Sequence, residues 1–228
     1  MKHFTTFIAH TESMFITFEG LDFSGKSTQA KLLVERLKSM PKVNGGERMT
    51  VHFVREPGGS KISEQIRELL LDKKFPEMTD TAELLLFSAS RTQLVKEVII
   101  PALRRGETVI CDRYYDSTTA YQGYGRGLDL RAIQTINRLA TAGTDPDLTI
   151  LIDIPVEEIE RRKHSAGLAF DRMESSGREF YERVRKGFLE IAAREAHRFV
   201  TMNGMASIEK VQQLVWQEVE RRLSTYSH

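Results

Sequence analysis

Eight residues, Gly20 to Ser27, read Gly-Leu-Asp-Phe-Ser-Gly-Lys-Ser and satisfy the spacing G-x-x-x-x-G-K-[ST]. The chemistry this spacing serves is the holding of a polyphosphate. Glycines let the backbone curl so that successive N–H groups converge on one concavity, and the helix N-terminus behind them adds its positive dipole end. Gly20, Leu21, Asp22, Phe23, Ser24, Gly25, Lys26, Ser27 and Thr28 form the wrap; Lys26 reaches the β- and γ-phosphates, and the Ser27 hydroxyl completes the shell of a Mg2+ ion that keeps most of its waters. The apolar run Met14 to Phe18 before the loop and the helix-like segment Thr28 to Lys38 after it supply the strand–loop–helix context that makes the motif credible.

Further chemistry-bearing residues cluster where strands should end. Thr50 to Arg55 reads as a second strand, and its continuation Arg55-Glu56-Pro57-Gly58-Gly59-Ser60 packs charge, proline and two glycines into one turn. That turn is either a plain connection or part of a site, because ligands of open α/β sheets bind just beyond the carboxyl ends of strands. In the helical segment Thr81 to Leu103, Phe87 and Arg91 stand four residues apart on one face. Such residues are ordinarily core and solvent face, yet a ring that stacks on a base and a guanidinium that bonds a base carbonyl are what nucleobase recognition requires. Glu107 to Cys111 is a third strand, with Asp112, Arg113 and Tyr114 at its tip. Asp112 stands where a second acidic group near Mg2+ is expected, and Arg113 can clamp a phosphate bidentately; the ordinary alternative is a buried strand-end ion pair. Ser117, Thr118, Tyr121 and Gln122 follow, before the glycine-spaced Gly123-Tyr-Gly-Arg-Gly127. From Glu160 onward Arg161, Arg162, Lys163, His164, Arg172 and Arg178 lie among small residues, either a solvated charge run or a basic, mobile segment of the kind that closes over phosphates.

The elements that must position these residues alternate. Helical spacing recurs over Thr28 to Leu37, Lys61 to Leu71, Leu130 to Ala142, Glu179 to Ala196 and Ile208 to Leu223, and Pro155 opens another helix. Leu148 to Asp153 is a nearly continuous apolar strand of the kind buried on both faces of a parallel sheet, and His197 to Met202 is a short last strand. Right-handed crossovers make this an α/β chain of three layers: a five-stranded parallel sheet with helices on both faces and the phosphate loop after strand one. There is no internal repeat and no low-complexity linker.

Composition narrows the classes. At 228 residues the chain suits one α/β domain, read as 14–228 with a lid at about 161–177. Residues 1–13 read as an extension that lacks the apolar core and small-residue cleavage site of a signal peptide, with Met14 as an alternative start. Lys plus Arg number 33 against Asp plus Glu 32, for a net charge of +1, so nothing in bulk charge points to nucleic acid or membrane as partner. No apolar run is long enough to span a bilayer. The one cysteine, Cys111, excludes an intramolecular disulfide and a cysteine zinc cluster and fits a reducing compartment, hence a cytoplasmic protein.

Together these residues resemble the thymidylate kinase family, P-loop nucleoside monophosphate kinases that phosphorylate dTMP with ATP. The resemblance spans Met14 to about Ala192. It is carried by Phe18-Glu19-Gly20-Leu21-Asp22 through Gln29, Arg55 to Gly59, Leu86-Phe87-Ser-Ala-Ser-Arg91, Asp112-Arg-Tyr114 with Ser117 to Gly123, and Asp171-Arg-Met-Glu174. It implies that Asp22 bonds the 3′-hydroxyl of the deoxyribose, that Phe87 stacks on thymine, and that Arg91 bonds its O4. Arg113 would hold the dTMP phosphate with Arg67 in its cluster, and Tyr121 would pack where a ribose 2′-hydroxyl would sit. Thr118 and Gln122 lie near base or sugar, with Glu56, Pro57 and Ser117 in the same substrate-binding set. Ser27 and Asp112 serve the Mg2+, and a homodimer is implied by the family alone. One departure matters: some members carry a catalytic arginine just after the loop aspartate, where this chain has Phe23. The likeness therefore points to the branch in which a lid arginine acts, Arg161 or Arg162 here, with Arg172 near the adenine or phosphates. Two other readings stay open at this point. One is another P-loop nucleotide or deoxynucleoside kinase. The other is a non-catalytic nucleotide-gated module, whose mark would be damage to Lys26, Asp112 or the lid arginines; none is damaged.

Overall fold

The computed structural model describes residues 13–40, 49–166 and 177–225. Five parallel strands, β1 (Phe15–Glu19), β2 (Val51–Arg55), β3 (Thr108–Asp112), β4 (Leu148–Asp153) and β5 (Phe199–Asn203), form one sheet in the order β2-β3-β1-β4-β5. Pairing of Phe18 with Asp112 and of Ile16 with Leu148 sets β1 between β3 and β4. The chain leaves β1 toward β2 on one side and leaves β3 toward β4 on the other. The switch point therefore falls between the carboxyl ends of β1 and β3, where an open parallel sheet leaves a crevice.

Period-two alternation distributes the strand side chains to two covered faces. Met14, Ile16 and Phe18 pack with Leu33 of α1 (Lys26–Ser39) and Val215 of α9 (Ile208–Thr225), while Phe15 packs on the other face with Leu94 of α3 (Asp80–Leu94), Val109 and Cys111. Glu19 shares the parity of Phe15 and so leaves β1 on the face opposite Phe18. The helices start where local chemistry lets them: Ser60 caps α2 (Lys61–Leu71), Thr79 caps α3 and Asp129 caps α6 (Leu130–Thr141), each side-chain oxygen accepting an N–H three residues on.

Three segments differ in detail from the reading by residue type. The helix expected over Thr81 to Leu103 widens to a π turn over Val95–Ile99 before the short α4 (Ile100–Arg104), which accommodates Pro101 with its missing N–H. The stretch after Arg113 is helical throughout, α5 (Tyr115–Thr118) running into a π-helical segment Thr119–Gly125. Its glycines are there for close approach: a Cβ on Gly125 would stand 2.7 Å from Phe180 of α8 (Arg178–Arg194), and one on Gly123 2.6 Å from Leu130. The basic run after Glu160, read as either a solvated charge run or a mobile segment, begins as the last turns of α7 (Val156–Ala166). Arg172 and the segment Asp171 to Glu174 lie outside the described residues, as do residues 1–12.

Under the carboxyl edge of the sheet lies a buried polar layer. Arg198 donates from Nη1 and Nη2 to the two carboxylate oxygens of Asp116 at 2.8 and 2.9 Å and from Nη1 to Thr149 Oγ1 at 2.8 Å, and Thr149 in turn meets Thr17 Oγ1 of β1 at 2.8 Å. Removing one partner of a buried pair strands the other charge, so Asp116→Ala is expected to lower the unfolding free energy by about 3–5 kcal/mol. Denaturant unfolding checks this; a loss below about 1 kcal/mol would contradict it.

Candidate active site

The phosphate loop keeps its shape through backbone conformations its residue types dictate. Gly20 has φ +139°, and a Cβ there would lie 2.4 Å from the carbonyl oxygen of Ile152, so only glycine fits. Gly25, at φ +94°, immediately precedes α1. Lys26, the first residue of that helix, is buried and folds its Nζ back to within 3.4 Å of Leu21 O, a carbonyl of its own loop. Burial, with the Arg113 charge beside it, pulls the Lys26 ammonium below its ordinary value. A lysine held in this way gains most from an incoming polyanion.

A Mg2+ ion fits the donor set present. Asp112, at the tip of β3 next to β1, has a buried Oδ1 with no hydrogen-bond partner among the described residues, and the nearby Ser27 sits in the first turn of α1. Carboxylate and hydroxyl oxygens are the hard donors this cation takes. Among the described residues no group of three or more acidic, histidine or cysteine side chains could hold a metal unaided. An ion here would therefore draw its remaining ligands from phosphate oxygens and water.

Beside the loop opens a cavity, and every residue assigned to substrate binding from the sequence lines it: Asp22, Glu56, Pro57, Arg67, Phe87, Arg91, Arg113, Ser117, Thr118, Tyr121 and Gln122. Leu71 and Tyr114 complete the lining.

Arg113 ties the cavity to the phosphate loop. Its φ of +70° is uncommon for a side-chain-bearing residue and turns it off the end of β3, across to β1, where its own N–H donates to Phe18 O at 2.9 Å. Its guanidinium donates to Gly20 O and Ser117 Oγ, each at 3.0 Å, and to Asp22 Oδ1 at 2.5 Å and Tyr121 OH at 3.1 Å. Burial raises the Asp22 carboxyl, but Arg113 and Lys26 outweigh it and hold the group below the ordinary aspartate value. The other Asp22 oxygen accepts from Tyr121 OH at 3.1 Å and Tyr181 OH at 3.3 Å.

At the far end, Arg91 is 2% exposed and its guanidinium is held on several sides. Nε donates to Glu56 Oε2 at 2.6 Å, Nη1 to Asn137 Oδ1 at 3.2 Å, and Nη2 to Thr118 Oγ1 at 2.9 Å and Tyr114 O at 3.4 Å. Burial pushes the Glu56 carboxyl up to about 7 against the pull of Arg91. Phe87 lies one helical turn before Arg91, and Arg67 donates to Pro57 O at 2.9 Å.

The two arginines left open as lid candidates occupy different places. Arg162 donates to Phe23 O at 3.1 Å, Ser24 O at 3.2 Å and Gly204 O at 2.8 Å, and to Glu158 at 2.7 Å. It is a fastening of the phosphate loop to the β5–α9 connection. Arg161 also pairs with Glu158, at 2.5 Å, but its side chain is 69% exposed. The two arginines draw the Glu158 carboxyl down to about 2.

Glu19 was quoted in the motif but given no role. Buried behind Arg113, it accepts from Tyr114 N at 2.7 Å and from Ser117 Oγ at 2.6 Å. The signal for it was present: an acid closing an apolar strand one residue before the loop. Burial first, then the Asp116 carboxylate, push the Glu19 carboxyl up to about 8.

A phosphate loop after β1, a cavity at the β1–β3 switch point and an arginine joining the two define a P-loop nucleotide kinase. Comparison with known proteins gives the family. A family model described as thymidylate kinase matches residues 18–215. The thymidylate kinase of Geobacter sp. (strain M21) is 46% identical over 92% of this chain and 93% of its own length, and that of Kosmotoga olearia 43% identical over 94% and 99%. The crystal structure of a thymidylate kinase from Ehrlichia chaffeensis superposes with a TM-score of 0.73 at 38% identity, covering 91% of this chain and 99% of that one. The chain belongs to the thymidylate kinase family.

A carboxyl group whose value is raised on folding binds a proton that the unfolded chain, near 4.5, has released. Its contribution to stability is full below about 4.5 and is lost as pH rises through about 8. The melting temperature of the wild type is therefore expected to fall between about pH 4.5 and about pH 8, and Glu19→Gln, which mimics the protonated acid, to flatten that fall. Identical slopes in thermal melts of the two proteins would refute the assignment.

Proposed function

We propose that this kinase transfers the γ-phosphate of ATP to dTMP, giving dTDP and ADP, with 14–228 as its catalytic unit. The observation that carries the reading is the Arg113–Asp22 pair, which makes one wall serve both the phosphate loop and the acceptor cavity. Phosphoryl transfer asks chiefly that two anions be placed in line and that charge spreading over the transferred group be neutralised. The loop amides and Lys26 hold the donor phosphates. Arg113 exchanges some of its protein contacts for the acceptor phosphate, with Arg67 in support, and Asp22 takes the 3′-hydroxyl. Ser27 and Asp112, together with the donor phosphates, would hold a Mg2+ ion that would supply charge neutralisation. The acceptor phosphate is already largely ionised at neutral pH, so no general base is needed.

At the base end, Phe87 offers a ring face and Arg91, Thr118 and Gln122 offer polar groups. Tyr121 is buried with its hydroxyl engaged by Asp22 and Arg113, which supports its exclusion of a ribose 2′-hydroxyl. Arg162 is already committed to loop carbonyls, so the arginine that bridges donor and acceptor is read as Arg161, with Arg172 at the adenine or phosphates.

A homodimer completes the reading. Ile62 and Leu69 on α2, Leu85 on α3 and Leu139 on α6 are exposed, Leu139 at 80%, on helices that neighbour one another and so offer a common apolar face. No helix of the described residues is long and apolar enough to cross a membrane, and the family's work on soluble nucleotides suits the cytoplasm.

Assays coupled to ADP release across dTMP, dUMP, dCMP and dGMP should find dTMP preferred; another preferred acceptor would overturn the function. Arg113→Ala removes at least two charge-assisted hydrogen bonds of about 1.5 kcal/mol each and should lower kcat/KM for dTMP by about 100-fold. Arg161→Ala should lower kcat at least about tenfold while sparing dTMP affinity, whereas Arg162→Ala should raise KM for ATP. Normal turnover in Arg161→Ala would remove it from the transfer step.

A further inference from the structure

Glu83 is an acid in the first turn of α3, where a carboxylate ordinarily faces water, yet it is fully buried at 0% exposure. Its Oε1 accepts from Gln122 Nε2 at 2.9 Å and from Arg126 Nε at 3.3 Å, and its Oε2 accepts from Arg126 Nη2 at 3.3 Å. Arg126 reaches Asp80 at 3.4 Å and lies over the Phe180 ring at 4.8 Å, so it is itself held in place. A carboxylate paired with a guanidinium only accepts hydrogen bonds. Gln122 must therefore turn its NH2 toward Glu83, and this decides which way round the amide lies. Gln122 is buried and lines the cavity; one Nε2 hydrogen is spent on Glu83, and the opposite side of the amide is the carbonyl Oε1, the acceptor it offers a ligand. Arg91, a donor only, lines the same cavity.

A fixed acceptor and a fixed donor lining one cavity suit a base edge carrying a ring N–H next to a carbonyl, the pattern of thymine and uracil. Cytosine reverses it, with a bare ring nitrogen next to an amino group. Were the Gln122 amide free to turn, it could serve either pattern.

We propose that Glu83 is a specificity-determining positioning residue: by holding the Gln122 amide in one sense, it makes the cavity accept imide bases and reject amidine ones. This rests on the dTMP kinase reading above, and the test separates the two. Glu83→Gln keeps size and shape but offers Gln122 either a donor or an acceptor. The ratio of kcat/KM for dTMP to that for dCMP is expected to fall at least about tenfold, the worth of one hydrogen bond made or misplaced in a buried site, with KM for ATP unchanged. A fall in both values together, leaving the ratio intact, marks a merely structural role and overturns the proposal, as does an unaltered enzyme. A wild type that uses dCMP as well as dTMP would instead sink the substrate reading.

Should Glu83→Gln not fold, an apolar pair keeps the question open, because replacing both partners of a buried hydrogen bond is far milder than removing one. Gln122→Leu alone and Gln122→Leu with Glu83→Met should then show the same reduced dTMP-to-dCMP ratio, since Glu83 acts only through Gln122. A ratio that differs between them by more than about threefold would overturn the proposal.

Discussion

The pairing of Arg113 with Asp22 is the interaction on which the site depends. It joins a loop shaped for polyphosphate to the tip of the neighbouring strand, and through Ser117 and Tyr121 it reaches the helix that follows. Neither partner is arranged by local propensity alone. Arg113 occupies a left-handed backbone conformation that costs about 1–3 kcal/mol wherever a side chain is present. Asp22 stays ionised in a buried place only because two cations outweigh its desolvation. The sheet order makes this economical: β1 and β3 are hydrogen-bonded neighbours, so the two residues meet across one strand spacing although 91 positions separate them.

Much of this was legible in the residues. Gly20, Gly25 and Lys26 announce their loop because the backbone they form tolerates few other side chains. The strand tips announced themselves because an apolar run ending in Asp112 and Arg113 leaves charge only at the crevice. The cavity lining was reachable through family resemblance, which brought Arg67, Phe87 and Gln122 into one set from three elements. How Arg91 is held was not legible. Its partners Glu56, Thr118 and Asn137 stand 35, 27 and 46 residues away, and nothing in their spacing marks them as neighbours.

Two segments carry little signal of the helices they form, for physical reasons. Glycine has two uses, freedom to turn and absence of bulk, and the sequence writes them with one letter. The glycine spacing around Gly123 and Gly125 hides a helical segment, because what these residues provide is room for Leu130 and Phe180. The first residues of the run from Glu160 carry no helical signal because they are polar all round, which erases the periodicity by which a helix is recognised. Its stability there comes from ion pairs to Glu158 and from the loop carbonyls that Arg162 reaches, contacts made across the fold.

Arg162 addresses main-chain oxygens at three sites: Phe23, Ser24 and Gly204. Any residue type offers the same carbonyl, so the fastening itself does not depend on the side chains at positions 23 and 24, although the φ of +61° at Phe23 and the burial of Ser24 limit replacement there for other reasons. The obligation falls instead on the arginine, whose flat fork reaches several acceptors at once where a lysine ammonium would reach fewer. It falls also on Gly204, where an added Cβ would meet Ile154 at 2.7 Å. Sequence tolerance around the donor site is thus unevenly shared. The fastening is indifferent to the loop's own side chains, Phe23 among them, and is guarded from outside the loop by Arg162 and Gly204.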